Sequence, residues 1–168
     1  TEKGIKSHRG KTCDNCNTNE KISDESNIPL IGCASHRFNL AVTKWLEDNV
    51  QFTNIIAEIH KIMTELRTLK LAAKLRDLTH LCAIRNNETR WSSKYYMVKR
   101  FNKIYHKLRD IEELQDLMFT PTKRRTLETL IVHLEKFQSI TKELQRKGLN
   151  LIEVRLVIIV IRMKKSPM

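Results

Sequence analysis

A chain of 168 residues with 40% hydrophobic content is long enough and apolar enough for one folded domain, which excludes disorder over most of its length. Four glycines and three prolines exclude a sandwich or barrel of many short strands, which needs a sharp turn at every reversal, so a mainly α fold is expected. Thirty-one Lys and Arg against nineteen Asp and Glu, a formal charge of +12, point to a polyanionic partner, with DNA or RNA the first expectation.

Residues 1–12, TEKGIKSHRGKT, are basic and lack hydrophobic period, and read as a flexible leader. A short polar helix is expected over Glu20–Ser26, and the apolar run Ile28–Cys33 has the length of a buried strand. From His36 the period becomes helical, with Phe38, Val42, Trp45 and Leu46 on one face. A second helix carries Phe52, Ile55, Ile56, Ile59, Ile62, Met63, Leu66 and Leu69, and a third carries Leu71, Leu75, Leu78 and Leu81. After the turn residues RNNET a fourth helix begins near Arg90, burying Met97 or Val98, Phe101, Ile104, Leu108 and Ile111. Pro121 suits a first helical turn capped by Thr120 or Thr122. The helix it opens carries Leu127, Leu130, Ile131, Leu134, Phe137, Ile140 and Leu144, with Gly148 as its stop. Each stripe has to be covered by another, which makes a helical array the expected body. The end, VRLVIIVIRMKKSPM, is β-branched and aperiodic and then basic; an exposed VIIVI would promote aggregation.

Four cysteines in a chain this long do not make a disulfide-dense secreted scaffold, so a reducing compartment is expected, and no apolar run is long enough to span a bilayer. Cys13-x-x-Cys16 and Cys33-x-x-His36 together offer thiolate and imidazole ligands at a separation that zinc modules use. The plainer alternative is a small buried Cys beside a histidine at a helix start. A lone Asp such as Asp14 at a helix entry is more often an N-cap than a metal ligand, and one carboxylate cannot supply a two-metal centre. The segment Thr89–Lys107 carries Arg90, Lys94, Lys99, Arg100, Lys103 and Lys107 without an acidic residue, interleaved with Trp91, Tyr95, Tyr96, Phe101 and Tyr105. Cations there can neutralise phosphates while aromatic faces stack on unpaired bases. A solvated basic face over an aromatic core is the competing account, and Trp91, at the helix start, is the ring expected to project outward. Lys61, Arg67, Lys70, Lys74, Arg76 and Lys123–Arg125 would extend the positive surface. His60, His80, His106 and His133 each stand alone at helical positions.

Three stretches, DNCNTN at Asp14–Asn19, PLIGCASHRFNLAV at Pro29–Val42 and ETRWSSKYYMVKRF at Glu88–Phe101, together resemble the middle of a hAT-superfamily transposase or a domesticated zinc-finger-BED-type derivative of one. The resemblance runs from about Cys13 to Leu156. It implies a remnant of an RNase H-like α/β core over 13–35, an α-helical insertion domain over 36–156, and an atypical tail over 157–168. It also implies a nuclear location, DNA as partner and Mg²⁺ as the cofactor of the intact family. By resemblance Asp14 matches the second acid of the DDE triad, Cys33 and His36 the C/D-x-x-H motif beside it, and Arg90 and Trp91 the R-W pair whose tryptophan stacks on a flipped base. The first and third acids have no match in this chain, which also begins at Thr1. A fragment that binds DNA through Arg90, Trp91, Lys94, Lys99, Arg100 and Lys103, holds no metal pair and does not cut is therefore expected. The alternatives are a helical module for self-association or protein docking, and a zinc module built on Cys13, Cys16, Cys33 and His36.

Overall fold

The computed structural model describes residues 11–13, 21–22, 25, 30–87 and 91–146, with the backbone alone at 11–13 and 30–32. The fold is mainly helical. Its elements are β1 (Lys11–Cys13), β2 (Leu30–Gly32), α1 (Ala34–Asp48), α2 (Val50–Glu65), α3 (Leu69–Leu78), α4 (Trp91–Leu108), a 3-10 segment (Glu112–Leu117) and α5 (Pro121–Leu144). The chain divides into two units, one of residues 1–40 with 143–168 and one of residues 41–142.

In the first unit β1 and β2 pair in parallel, with Lys11 opposite Leu30, Thr12 opposite Ile31 and Cys13 opposite Gly32. Between them Lys21, Ile22 and Glu25 are helical, so the order is strand, helix, strand. Parallel neighbours require such a crossover. β2 falls inside the apolar run expected to be a strand, but β1 takes Lys11 and Thr12 out of the expected leader. A three-residue strand needs backbone pairing more than apolar side chains, so KTC carried no periodic signal. Residues 1–10 and 147–168, with Gly148 and the VIIVI run, lie outside the described residues. At the start of α1 the Cys33 carbonyl accepts the Arg37 N–H at 3.1 Å, which makes Cys33 the N-cap. Past the end of α5 the Gln145 amide donates to Ser35 Oγ at 3.5 Å.

Among the described residues the buried apolar side chains all lie in the second unit. α1 and α2 are separated by Asn49 alone, whose side-chain amide donates to the Trp45 carbonyl at 2.6 Å while Thr53 Oγ1 donates to the Leu46 carbonyl at 2.7 Å. These bonds satisfy carbonyls left open where α1 stops, and allow two helices to meet without a glycine. The stripe of α2 is buried as expected from Phe52 to Leu66, with Ile59 and Met63 fully inside. Leu69 departs from it and is 86% exposed. The chain leaves helical phase after Glu65, and Thr68 Oγ1 donates to the Glu65 carbonyl at 2.8 Å, so Leu69 opens α3 on a new face. Leu71 and Leu75 are buried, whereas Leu81 lies beyond the end of α3.

α4 packs against α2 and α3. Met97 and Val98 are both buried with Phe101, Ile104 and Leu108, and removing each such side chain from water contributes about 1.5–3 kcal/mol. Ile111 and Leu114 continue the core through the 3-10 segment. Tyr105 fastens the approach to α5, because its hydroxyl accepts the Phe119 N–H at 3.1 Å and lies 3.3 Å from the Phe119 carbonyl. Thr120 then caps α5, its Oγ1 accepting the Lys123 N–H at 3.4 Å, with Pro121 in the first turn as expected. α5 buries Leu127, Leu130 and Leu134 and sets His133 beside Trp45, ring centroids 5.2 Å apart, and 6.0 Å from Phe52.

His133 is thus half-buried against two aromatic rings, and that burial, with the Lys136 charge adding to it, pushes its pKa below the ordinary 6.5. The neutral ring is the folded form. Its contribution to stability is complete above the unfolded value of 6.5 and is lost as pH falls through the lower folded value. Thermal melts between pH 7.5 and pH 5 are expected to show falling stability in the native chain, and a smaller fall in His133→Phe.

Candidate nucleic-acid interface

α4 gathers the basic and aromatic residues by the arithmetic of 3.6 residues per turn. Trp91, Tyr95, Met97, Val98, Phe101, Ile104 and Leu108 are buried, and the opposite face carries Tyr96, Lys99, Arg100, Lys103 and Lys107. Lys94 belongs to the other side: it lies four residues before Val98 and seven before Phe101, and is half-buried at the core edge. Lys94 therefore does not share the outer face with the other expected DNA-binding residues of α4. Nor does Trp91, which is only 2% exposed. Its ring meets Phe137 edge-on at 6.1 Å and lies 6.4 Å from Tyr95. An outward tryptophan was expected from its place at the helix start, but α5 brings Phe137 over it. Tyr96, 49% exposed, is the aromatic ring of α4 that faces solvent. Arg90 lies outside the described residues.

The segment before α4 is drawn onto this face. Arg100 donates through its guanidinium to the Cys82 carbonyl at 2.7 Å, and Ser93 Oγ donates to the Asn87 carbonyl. Between that segment, α4 and α5 lies a recess of about 330 Å³. Ile84, Tyr95 and Tyr96 supply its apolar wall; Lys99, Arg100, Lys103, Gln138 and Lys142 supply its polar one. Lys99 Nζ is held 3.0 Å from the Tyr95 hydroxyl and 3.5 Å from Glu135, and the Tyr95 bond is the first cause of its raised pKa. Gln138 donates through Nε2 to the Tyr96 hydroxyl at 3.1 Å, and its Oε1 is buried without a partner. Among the described residues Lys103, Lys107 and Lys142 make no ion pair. Gln138 and Lys142 had no signal of their own in the sequence; only α5 alongside α4 makes them neighbours of Tyr96.

Several other cations are occupied within the fold. Lys123 Nζ pairs with both Glu58 carboxylate oxygens at 2.7 and 2.8 Å, tying α5 to α2. The Arg124 guanidinium stacks 4.4 Å from the Tyr105 ring centroid and donates to Asn102 Oδ1 at 3.1 Å. Lys70 and Lys74 converge on Glu113 at 2.9 and 2.6 Å. These residues would extend a positive surface unless they are simply solvated faces, and Lys70, Lys74, Lys123 and Arg124 are engaged by groups of the fold itself. Hydrogen bonds from Lys74 first and Lys70 second lower the Glu113 pKa from 4.5 to about 2. That pairing stabilises the fold above the unfolded value and is lost as pH falls through about 2, and salt weakens it because the groups are exposed. An NMR titration of the Glu113 carboxyl is expected to show the low value in the native chain and a return towards 4.5 in Lys74→Met.

Cys33 and His36 occupy the N-cap and third residue of α1. The parallel register sets the C-terminal ends of β1 and β2 side by side, with Cys13 opposite Gly32 and Cys33 next in the chain. Asp14 and Cys16 lie outside the described residues, as does the Cys13 side chain. Among the described residues no three of His, Cys, Asp and Glu converge as a metal would need. Asp14 is the single carboxylate among the donors matched by resemblance, whereas a two-metal centre needs several, and the Cys33 cap on α1 is made by its backbone carbonyl alone. Among the described residues no helix is long and apolar enough to cross a membrane.

Among the described residues the fold is mainly helical and α4 carries a cation-rich, tyrosine-bearing face. No family model, curated protein or solved structure matches the chain.

Proposed function

We propose that the chain is part of a hAT-type transposase that holds DNA on the outer face of α4 and does not cut it alone. The observation that carries this is the alignment of Lys99, Arg100, Lys103 and Lys107 with exposed Tyr96 on one helix face, where Lys103 and Lys107 have no ion-pair partner among the described residues. Phosphates satisfy such cations, and binding follows from release of their counterions. The parallel β1–β2 pair, with a helical crossover and β2 leading directly into the long helices, supports an RNase H-like remnant joined to an insertion. A nuclear site of action follows from a DNA partner. With Asp14 as the one matched acid, strand cleavage has no metal pair to work through, and the surviving role is affinity.

Anisotropy titrations of the purified chain against a labelled duplex test this. Affinity is expected to fall with salt at a log–log slope of about −3, as suits three to four neutralised phosphates, and to be unchanged by EDTA. Salt-insensitive binding would overturn the DNA assignment. Nicking of the duplex that requires Mg²⁺ would overturn the non-cutting one.

A further inference from the structure

The recess beside Tyr96 has features that contact with a duplex backbone does not use. A backbone contact needs exposed cations and no concavity. Here an apolar wall of Ile84 and the two tyrosine rings faces cations drawn from both α4 and α5. Among the described residues, Glu135 is the one carboxylate within ion-pair distance of Lys99, Arg100, Lys103 or Lys142, so the four cations are under-neutralised. Gln138 adds a second, independent feature. Its Oε1 is buried and unpaired, a desolvated acceptor whose cost is relieved when a donor arrives. With the amide turned the other way, the carbonyl would accept from Tyr96 and the buried end would be an N–H donor. Either orientation leaves one polar end of this recess-lining side chain without a partner, which a small rotation of the amide would turn toward a ligand.

The ligand that answers all three features has an aromatic face for the tyrosines, polar edge groups for Gln138 and an anionic end for the lysines. About 330 Å³ lies within the range of sites for small molecules and cofactors and is far too small for a folded partner. We propose that this recess binds a single nucleotide, its base against Tyr96 and Ile84 with an edge group on Gln138, and its phosphates between Lys99, Arg100, Lys103 and Lys142. The same chemistry can come from a free nucleoside triphosphate or from the last nucleotide of a single strand. The inference goes beyond duplex binding, because it needs the α5 residues Gln138 and Lys142.

Isothermal titration of the full chain with ATP, with inorganic tripolyphosphate and with a short oligothymidylate tests it, alongside the duplex titration. Saturable ATP binding in the micromolar range is expected, about tenfold tighter than tripolyphosphate because base stacking adds to charge. Lys142→Glu and Gln138→Leu are each expected to weaken ATP by about tenfold, with far-UV circular dichroism confirming that helices persist. Competition between oligothymidylate and ATP would assign the strand end as a source, and binding of ATP alone would assign the free nucleotide. Tripolyphosphate binding as tightly as ATP overturns the inference, as does ATP affinity untouched by both substitutions. Duplex binding that persists while neither ATP nor the oligonucleotide binds overturns this inference and leaves the duplex assignment standing; loss of every titration overturns both.

Discussion

Replacing Lys103 and Lys107 together by glutamate is expected to lower duplex affinity by about 100-fold at moderate salt and to reduce the salt slope by about 2, with no change in helical content. Both lysines lie on the outer face of α4 and have no ion-pair partner among the described residues, so their reversal removes phosphate contacts without breaking a bond of the fold. Lys123 and Lys74 make the contrast. Each is committed to a glutamate, Glu58 and Glu113 respectively, so changing either is expected to act on the fold and hardly on the slope. If the double reversal leaves both affinity and slope as they were, the outer face of α4 is not where DNA lies.

Trp91→Ala is expected to destabilise the folded chain by about 3–5 kcal/mol, the cost of emptying a large aromatic site in a core. The ring is only 2% exposed and is enclosed by Tyr95 and Phe137, so its removal leaves a cavity at the contact of α4 with α5. Urea unfolding followed by circular dichroism measures this, with Trp91→Phe expected to recover part of the loss. A tryptophan used to stack on a base in this conformation would behave in the opposite way. Its alanine variant would keep full stability and lose affinity for unpaired strands alone. Tyr96→Ala is the variant placed to do that here, because its ring is half exposed and its hydroxyl bond to Gln138 is at the surface.

The neutralised cations bear on both experiments. Of the basic residues outside α4 that could extend its positive surface, Lys70, Lys74, Lys123 and Arg124 each meet a carboxylate or an aromatic ring contributed by the fold. A formal charge of +12 is therefore unevenly available, and affinity should concentrate where pairing is absent. The α4 face and the recess meet that condition at Lys103, Lys107 and Lys142.

Periodicity by itself determined most of the helical body. The stripes from Phe52 to Leu66 on α2 and from Phe101 to Leu108 on α4 are buried where their spacing placed them, as are Leu127, Leu130 and Leu134 on α5, because one helix turn sets which side chains share a face. Ile131, Phe137, Ile140 and Leu144 of α5 are half-buried. Thr120 and Pro121 marked the start of α5 for an equally local reason, the needs of unpaired N–H groups. Tertiary structure alone decided the rest. A polar three-residue strand at Lys11–Cys13 exists through its pairing with Leu30–Gly32, and has no pattern before that pairing. Whether Trp91 faced water or core depended on Phe137, forty-six residues further along and on another helix. The recess depended on Gln138 and Lys142 lying beside Tyr96. Helical spacing reports a residue's own face, and what stands opposite that face is set by packing between elements far apart in the chain.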